Sequence, residues 1–163
     1  MNTKIFKSAV ITSFISSCML MGCNSNRTND ETNSANQMNA LNLTSEWDKT
    51  FPKSEKVNHS KITFHNRYGI TLAADLYTPV NASGKLPAIA VSGPFGAVKE
   101  QSSGLYAQQL AERGFLTIAF DPSYTGESGG EPRYVASPDI NTEDFSAAVD
   151  CLMNREDVDS EKI

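Results

Sequence analysis

The chain has 163 residues, of which 39% are hydrophobic, and a formal net charge of −5 at pH 7. This length fits one domain with a hydrophobic core, and the acidic balance argues against a nucleic-acid partner because phosphate backbones attract basic patches. Two histidines and three cysteines, without metal-ligand spacing, argue against a zinc site, and we expect no cofactor.

Residues 1–22 are predicted to be a signal peptide, "MNTKIFKSAVITSFISSCMLMG", in which two lysines precede an apolar run too short for a stable membrane span. The run leads into "LMGC" and resembles the lipobox of bacterial lipoproteins. That resemblance implies cleavage after Gly22 and lipidation of Cys23. An ordinary signal peptide followed by a chance cysteine is the alternative.

Lipid on Cys23 would anchor the protein durably in the bacterial cell envelope, because several acyl chains act together. The next residue is Asn24 rather than the aspartate associated with inner-membrane retention, so we favour the outer membrane. Residues 23–44 are rich in Asn, Ser and Thr and are predicted to form a flexible tether. With Cys18 removed and Cys23 lipidated, no internal disulfide is possible.

The folded domain is predicted to span residues 45–163, beginning with "SEWDKTFPKSEK". Trp47 and Phe51 have helical spacing behind Ser45, a possible N-cap. They could form a short helix that packs on the domain or a lip over substrate, and we favour the helix. The residues from Val57 onward have the alternating pattern of strands.

A β-hairpin is predicted next, with strands over residues 61–66 and 70–77 joined by a tight turn at Gly69. His59 and His65 fall in this region, and we interpret both as solvated residues at a strand edge. The following segment "LPAIAVSG" has the continuous apolar character of a strand buried on both faces.

Helices and strands then alternate to the end of the chain. "SSGLYAQQLAERG" is predicted to be a helix with Tyr106, Leu110 and Ala111 on one face, and "FLTIAFD" a buried strand. "NTEDFSAAVDCLMNRED" is predicted to be a second helix capped by Asn141 or Thr142. Strand–helix–strand–helix order predicts an α/β fold, in which a parallel sheet follows the antiparallel hairpin.

Residues 126–130, "GESGG", match the G-x-S-x-G pattern of serine-hydrolase nucleophile elbows. A true elbow needs a buried strand directly before the serine and a helix directly after it. Ser128 has neither, because the preceding strand ends near Asp121 and the following "GGEPRYVASPD" contains two prolines. We therefore predict that Ser128 is not a nucleophile.

The segment "LPAIAVSGPFGAVKEQSSGLYAQQLAERGFLTIAFDPSYTGESGGEPR" resembles α/β-hydrolases of the dienelactone hydrolase and Xaa-Pro dipeptidyl-peptidase-like branch. The resemblance runs from about Lys61 to Ile163. It implies the N-terminal half of an α/β-hydrolase sheet, truncated before the nucleophile strand. It also implies that the strands lie in the order first, second, fourth, third and fifth.

In that family the loop after the third strand supplies a backbone N–H to the oxyanion hole. Pro94 has no N–H to donate, so the resemblance implies Phe95 as the donor, with Gly96 second. The loop from Asp121 to Arg133 would border the mouth of the active site. Its residues Tyr124, Glu127 and Arg133 are candidates for substrate contact, and a loop held together by its own hydrogen bonds is the alternative.

The family's nucleophile, acid and histidine would all lie beyond Ile163. The resemblance therefore implies the N-terminal portion of a lipid-anchored hydrolase, which cleaves ester, amide or peptide bonds through an acyl-enzyme. By itself this portion would be inactive. The alternative is a non-catalytic surface lipoprotein whose half-domain pairs with another chain.

Overall fold

The computed structural model describes residues 41–163, and the predicted signal peptide, Cys23 and most of the predicted tether lie outside them. The elements are β1 (Val57–His65), β2 (Thr71–Pro79), β3 (Ala88–Ser92), α1 (Ser102–Ala111), β4 (Leu116–Phe120) and α2 (Pro138–Met153). The sheet order is β1-β2-β4-β3. β2 is antiparallel to β1 and to β4, whereas β3 is parallel to β4. The predicted fold class and the predicted order of the first four strands are confirmed. Within residues 41–163, no helix has the length and apolar character needed to cross a membrane.

The hairpin turn between β1 and β2 is held by Asn66 and Gly69. The side-chain oxygen of Asn66 accepts the amides of Tyr68 and Ile70, each at 3.0 Å. Gly69 has φ 75°, a conformation that favours glycine because it has no Cβ. The predicted hairpin is therefore confirmed, although its strands extend a few residues further than the sequence pattern indicates.

The two helices cover opposite faces of the sheet. On the α2 face the strands contribute large apolar side chains that pack against Ala148 and Leu152 of the helix. On the α1 face the helix contributes only small apolar side chains, Ala107 and Ala111, which pack near Tyr77 and Ala119. Small residues allow α1 to approach the sheet closely.

Three local predictions are wrong. Residues 45–51 form no helix, although Phe51 is buried and the Trp47 indole N–H donates to the Phe51 carbonyl at 2.8 Å. Helix α2 begins at Pro138 behind Ser137, because proline fits the first turn, where no amide partner is needed. Tyr106 is exposed on α1, since the helix buries its small residues instead.

β3 packs on both faces, as predicted, since Ala90 lies against the cluster on the α2 face and Val91 against the cluster on the α1 face, but its outer edge is only partly covered within residues 41–163. Ala88 alone among its residues is fully buried. The C-terminal residues begin to cover the edge, because the amides of Leu86 and Ala88 donate to the carbonyls of Asp157 and Lys162, each at 2.9 Å. A parallel bridge joins Leu86 to Val158.

We predict that Gly104→Ala destabilises the fold, although alanine is the better helix former. A Cβ at Gly104 would lie 2.2 Å from the Lys99 carbonyl oxygen and 3.1 Å from the Phe51 ring. We expect a loss of about 1–3 kcal/mol, as for other overpacked sites, measured by denaturant unfolding. The exposed helical substitution Gln109→Ala is the control, and equal stability of the two variants would contradict the close approach.

Candidate active-site cleft

A cleft lies at the edge of the sheet where the parallel strands β3 and β4 end. Its walls are the loop that follows Ser92, called the β3 loop, and the loop that follows Phe120, called the β4 loop. The larger cavity has a volume of about 430 Å³ and is lined by residues without ionisable groups apart from one tyrosine: Phe95, Gly96, Val98, Thr125, Gly126, Tyr134 and Val135. A smaller cavity of about 120 Å³ adjoins it and reaches α2. Ligands of open α/β sheets bind at this edge.

The β3 loop forms a tight turn at Phe95 and Gly96. The Ala97 amide donates to the Pro94 carbonyl at 3.0 Å, and Gly96 has φ 80°. This geometry leaves the amides of the two central residues outside the turn's own hydrogen bond. Within residues 41–163 neither amide has an acceptor, and the Phe95 side chain is 84% exposed. Two N–H donors are thus presented beside the cleft.

The β3 loop is fixed at its C-terminal end by Lys99, which makes two hydrogen bonds to Asp121. The Lys99 amide donates to Oδ1 of Asp121 at 2.7 Å, and its ammonium donates to Oδ2 at 2.8 Å. Both side chains are fully buried. The ammonium also donates to Glu127 at 2.7 Å and to Glu100 at 2.5 Å. Burial alone would lower the pKa of Lys99, but Asp121 and these carboxylates outweigh it and raise the pKa.

Glu127 links the β4 loop to β1 and to the start of the described chain. It accepts hydrogen bonds from the Lys61 ammonium at 2.6 Å and from the Thr44 amide at 2.7 Å. Burial alone would raise the pKa of Glu127, but the hydrogen bonds from Lys61 and Lys99 outweigh it and lower the pKa to about 2. The carboxylate is thus engaged within the protein, and substrate contact by Glu127 stays a prediction.

Arg133 and Tyr124, the other predicted mouth residues, make hydrogen bonds within the β4 loop. The Arg133 guanidinium donates to the carbonyls of Gly126, at 2.7 Å, and Ser128. Tyr124 has φ 70°, and its amide donates to the Gly129 carbonyl at 2.8 Å. These bonds agree with the alternative of a loop held by its own hydrogen bonds. The cleft is lined instead by Thr125 and Tyr134 from the same loop.

Ser128 is a structural residue. It is 2% exposed; its hydroxyl donates to the Asp121 carbonyl at 2.7 Å and accepts the Ala73 amide at 2.9 Å. The residues after it form turns and bends, and no helix begins before Pro138. A serine with both hydrogen-bonding roles occupied in a buried loop cannot attack a substrate, which confirms that the G-x-S-x-G match is not an elbow.

His59 is not the solvated residue that the sequence suggests. Its Nε2 lies 2.8 Å from Oδ1 of Asp75, and the Lys49 ammonium lies 3.0 Å from the other carboxylate oxygen. The buried Asp75 attracts both groups because a lone carboxylate in the interior would cost several kcal/mol. His65 is exposed, as predicted.

Three carboxylates, from Asp48, Glu100 and Glu127, approach within 4.8 Å of one another. The ammonium groups of Lys61 and Lys99 already contact them, at distances of 2.5 to 3.2 Å for the closest pairs. The positive charge that such a cluster requires is therefore supplied by the protein. This arrangement does not fit a divalent cation.

The sequence analysis missed the roles of Lys99 and Asp121. A signal was present, because Asp121 directly follows a continuous apolar strand and "VKEQ" lies between two buried elements. A charge next to buried strands needs a partner. The identity of that partner depends on which loops meet in space.

The mixed sheet with flanking helices has the architecture of the N-terminal half of an α/β-hydrolase fold. The structure of the α/β-hydrolase GrgF from Penicillium matches with a TM-score of 0.58 and 28% identity, over 65% of this chain and 36% of that chain. The family described as X-Pro dipeptidyl-peptidase (S15 family) matches residues 68–163. The chain belongs to this family.

Two proteins have sequences similar to that of this chain. The uncharacterised protein PA2218 of Pseudomonas aeruginosa is 66% identical over 88% of this chain and 39% of its own length. Its crystal structure matches with a TM-score of 0.75 and 73% identity, over 76% of this chain and 39% of that chain. Thiohydrolase aneE of Aspergillus aculeatus is 33% identical over 68% of this chain and 34% of its own length. This chain thus spans between about a third and two fifths of these relatives.

We predict that ionised Glu127 stabilises the folded state at pH values above 4.5, the ordinary pKa of a glutamate. This contribution to stability is lost as the pH falls from 4.5 toward 2. The sign follows from a folded-state pKa that lies below the unfolded one. Glu127→Gln should lower the denaturation midpoint at pH 7, and the difference from the parent should shrink toward pH 2. The exposed Glu131→Gln in the same loop is the control, and a pH-independent difference would contradict the ion-pair role.

Proposed function

We propose that this chain supplies the N-terminal part of the catalytic domain of a hydrolase that cleaves an ester, thioester, amide or peptide bond. The carrying observation is the turn at Phe95 and Gly96, whose two amides lie without acceptors among the described residues beside the cleft. Membership of the S15 family supports a hydrolase, and the relative named a thiohydrolase supports the inclusion of thioesters.

The chemistry assigned to this part is stabilisation of negative charge. When a nucleophile attacks a carbonyl carbon, the carbonyl oxygen becomes an oxyanion that needs preorganised N–H donors. Phe95 is the proposed donor and Gly96 the second candidate. The loss of one such donor raises the barrier by roughly 3–4 kcal/mol in other hydrolases, so the turn would contribute materially to the rate.

The nucleophile, acid and histidine are proposed to come from the part of the protein that follows these residues. In α/β-hydrolases the elbow joins a buried strand to a helix. The outer edge of β3 is where such a strand would pair, since Ala88 already donates to Lys162 there. A strand parallel to β3 at this edge would end beside the loop that begins at Gly93, and its elbow would face the two amides.

The substrate group next to the amides is proposed to be uncharged and largely apolar. The larger cavity is lined by Phe95, Val98, Val135 and Tyr134 together with two glycines and a threonine. None of these residues carries a carboxylate, an ammonium or a guanidinium group. A charged acyl group would lose its hydration there without an ionic partner among the lining residues.

The protein is further proposed to be held in the bacterial envelope, on the outer membrane, by lipid on Cys23. The support is the sequence "LMGC" after an apolar run. Among the first described residues, Thr44 bonds to Glu127, and none of residues 41–47 lines either cavity of the cleft. An anchor that enters there leaves the two amides accessible to substrate.

A fluorophosphonate probe tests the catalytic proposal on the native protein, recovered from its source cells with an antibody against residues 61–133. We expect one labelled serine on the same polypeptide but outside residues 41–163, and a polypeptide larger than 163 residues. Peptide mass spectrometry locates the label.

Labelling at Ser128 would contradict the assignment, as would a native polypeptide of 163 residues that neither reacts nor hydrolyses acyl esters. Label on a separate chain that co-purifies would instead favour the alternative, in which a half-domain pairs with another protein.

The anchor has its own test. Cys23→Ser should abolish incorporation of labelled palmitate and move the protein from the membrane fraction to the soluble fraction, because the acyl chains supply the membrane affinity. Cys151→Ser is the matched control and should do neither. If the Cys23→Ser variant still incorporates palmitate, the lipobox assignment is contradicted.

A further inference from the structure

We propose that Lys99 is the positioning residue that fixes the turn bearing the Phe95 and Gly96 amides. Its consequence for catalysis rests on the proposed function, whereas its effect on the turn does not. Lys99 itself lines neither cavity and lies outside the turn that carries the two amides. It would act through the backbone that joins it to Gly96, three residues away.

The segment between β3 and Lys99 has few attachments of its own. Phe95 is 84% exposed, so its side chain does not anchor the turn by packing. Gly96 has no side chain at all. The bond from the Ala97 amide to Pro94 closes the turn internally, and Val98 bonds only to Gln101, beyond Lys99 in the chain, so neither attaches the turn to the sheet. The orientation of the two amides is therefore set by the ends of the segment.

One end of the segment is β3 itself. The other end is Lys99, which makes two hydrogen bonds to the Asp121 carboxylate. Backbone and ammonium contact different oxygens of the same carboxylate, at 2.7 and 2.8 Å. This fixes both the position and the direction of the chain at Lys99. Charge-assisted bonds of this length are among the stronger hydrogen bonds in proteins.

Asp121 is a rigid anchor because it belongs to the sheet edge. It follows β4 directly, it is fully buried, and its amide donates to the Ala73 carbonyl of β2 at 3.0 Å. The Glu127 amide also donates to its carboxylate, at 2.9 Å. At Gly126 a Cβ would lie 2.2 Å from the same carboxylate, so the β4 loop closes tightly around it. Lys99 thus ties the turn to the sheet and not to another loose loop.

The chain contains a matched pair of the same chemistry away from the cleft. Lys49 lies 3.0 Å from Asp75, and both side chains are fully buried, as in the pair of Lys99 and Asp121. Asp75 lies in the middle of β2, and neither residue lines the cleft. Loss of either ammonium leaves a buried carboxylate short of a cation, so both substitutions should lower stability. Only one of them should release the turn.

Hydrogen exchange in the full protein tests the positioning directly. The readouts are the Ala97 and Lys99 amides, which are both hydrogen-bonded, with the amides of β4 as the reference for global opening. In Lys99→Met we expect their exchange to rise about tenfold or more relative to β4, and in Lys49→Met to stay within about twofold. Lys99→Arg keeps the cation and should restore part of the protection. Equal changes in Lys99→Met and Lys49→Met would overturn the proposal.

Kinetics of the full protein provide the second readout. Lys99→Met should lower kcat about 10- to 100-fold with KM within about threefold, since a misplaced donor weakens the transition state more than the ground state. Lys49→Met should keep kcat within about twofold. A parallel fall of kcat in both variants would overturn the role of Lys99. A parent protein that hydrolyses nothing would refute the proposed function, and the exchange result would then still decide whether Lys99 positions the turn.

Discussion

The paired charges of Lys99 and Asp121 join the parts of this molecule that build its candidate site. Asp121 directly follows β4, and Lys99 lies between the β3 loop and α1, where its carbonyl leaves no room for a side chain at Gly104. Buried charges remain paired, because an unpaired one in the interior costs several kcal/mol. The pair therefore fixes the positions of the sheet edge, the first helix and the two loops of the cleft relative to one another.

The two faces of the sheet are stabilised by different means. The α2 face is an apolar cluster of strand side chains under Ala148 and Leu152. The α1 face combines small apolar residues with two buried ion pairs, one at Asp75 and one at Asp121. Hydrophobic burial sets where α2 lies, whereas directional bonds set where the loops beside α1 lie. Directional bonds suit a site whose donors must be held at fixed angles.

In the proposed function, this portion of the S15-family chain contributes a turn at the sheet edge whose amides have no acceptor among residues 41–163. The Phe95 side chain is largely exposed, and the turn lines the cleft together with Gly96, so its backbone amides lie beside the cavity. Transition-state stabilisation by backbone donors needs preorganisation more than it needs particular side chains. The same reasoning explains why Ser128, buried and doubly bonded, serves the scaffold.

Periodicity along the chain was sufficient to predict the hairpin, the α/β alternation and the absence of an elbow at Ser128, because these depend on neighbours within a few residues. The resemblance to α/β-hydrolases supplied the strand order and pointed to Phe95. The start of α2 at Pro138 is a local property that the pattern did not reveal, whereas the exposure of Tyr106 and the partners of His59, Lys99 and Glu127 were decided by the tertiary structure. Those properties depend on residues far apart in the chain, from Lys61 with Glu127 to Lys99 with Asp121, whose meeting is set only when the sheet and its loops pack together.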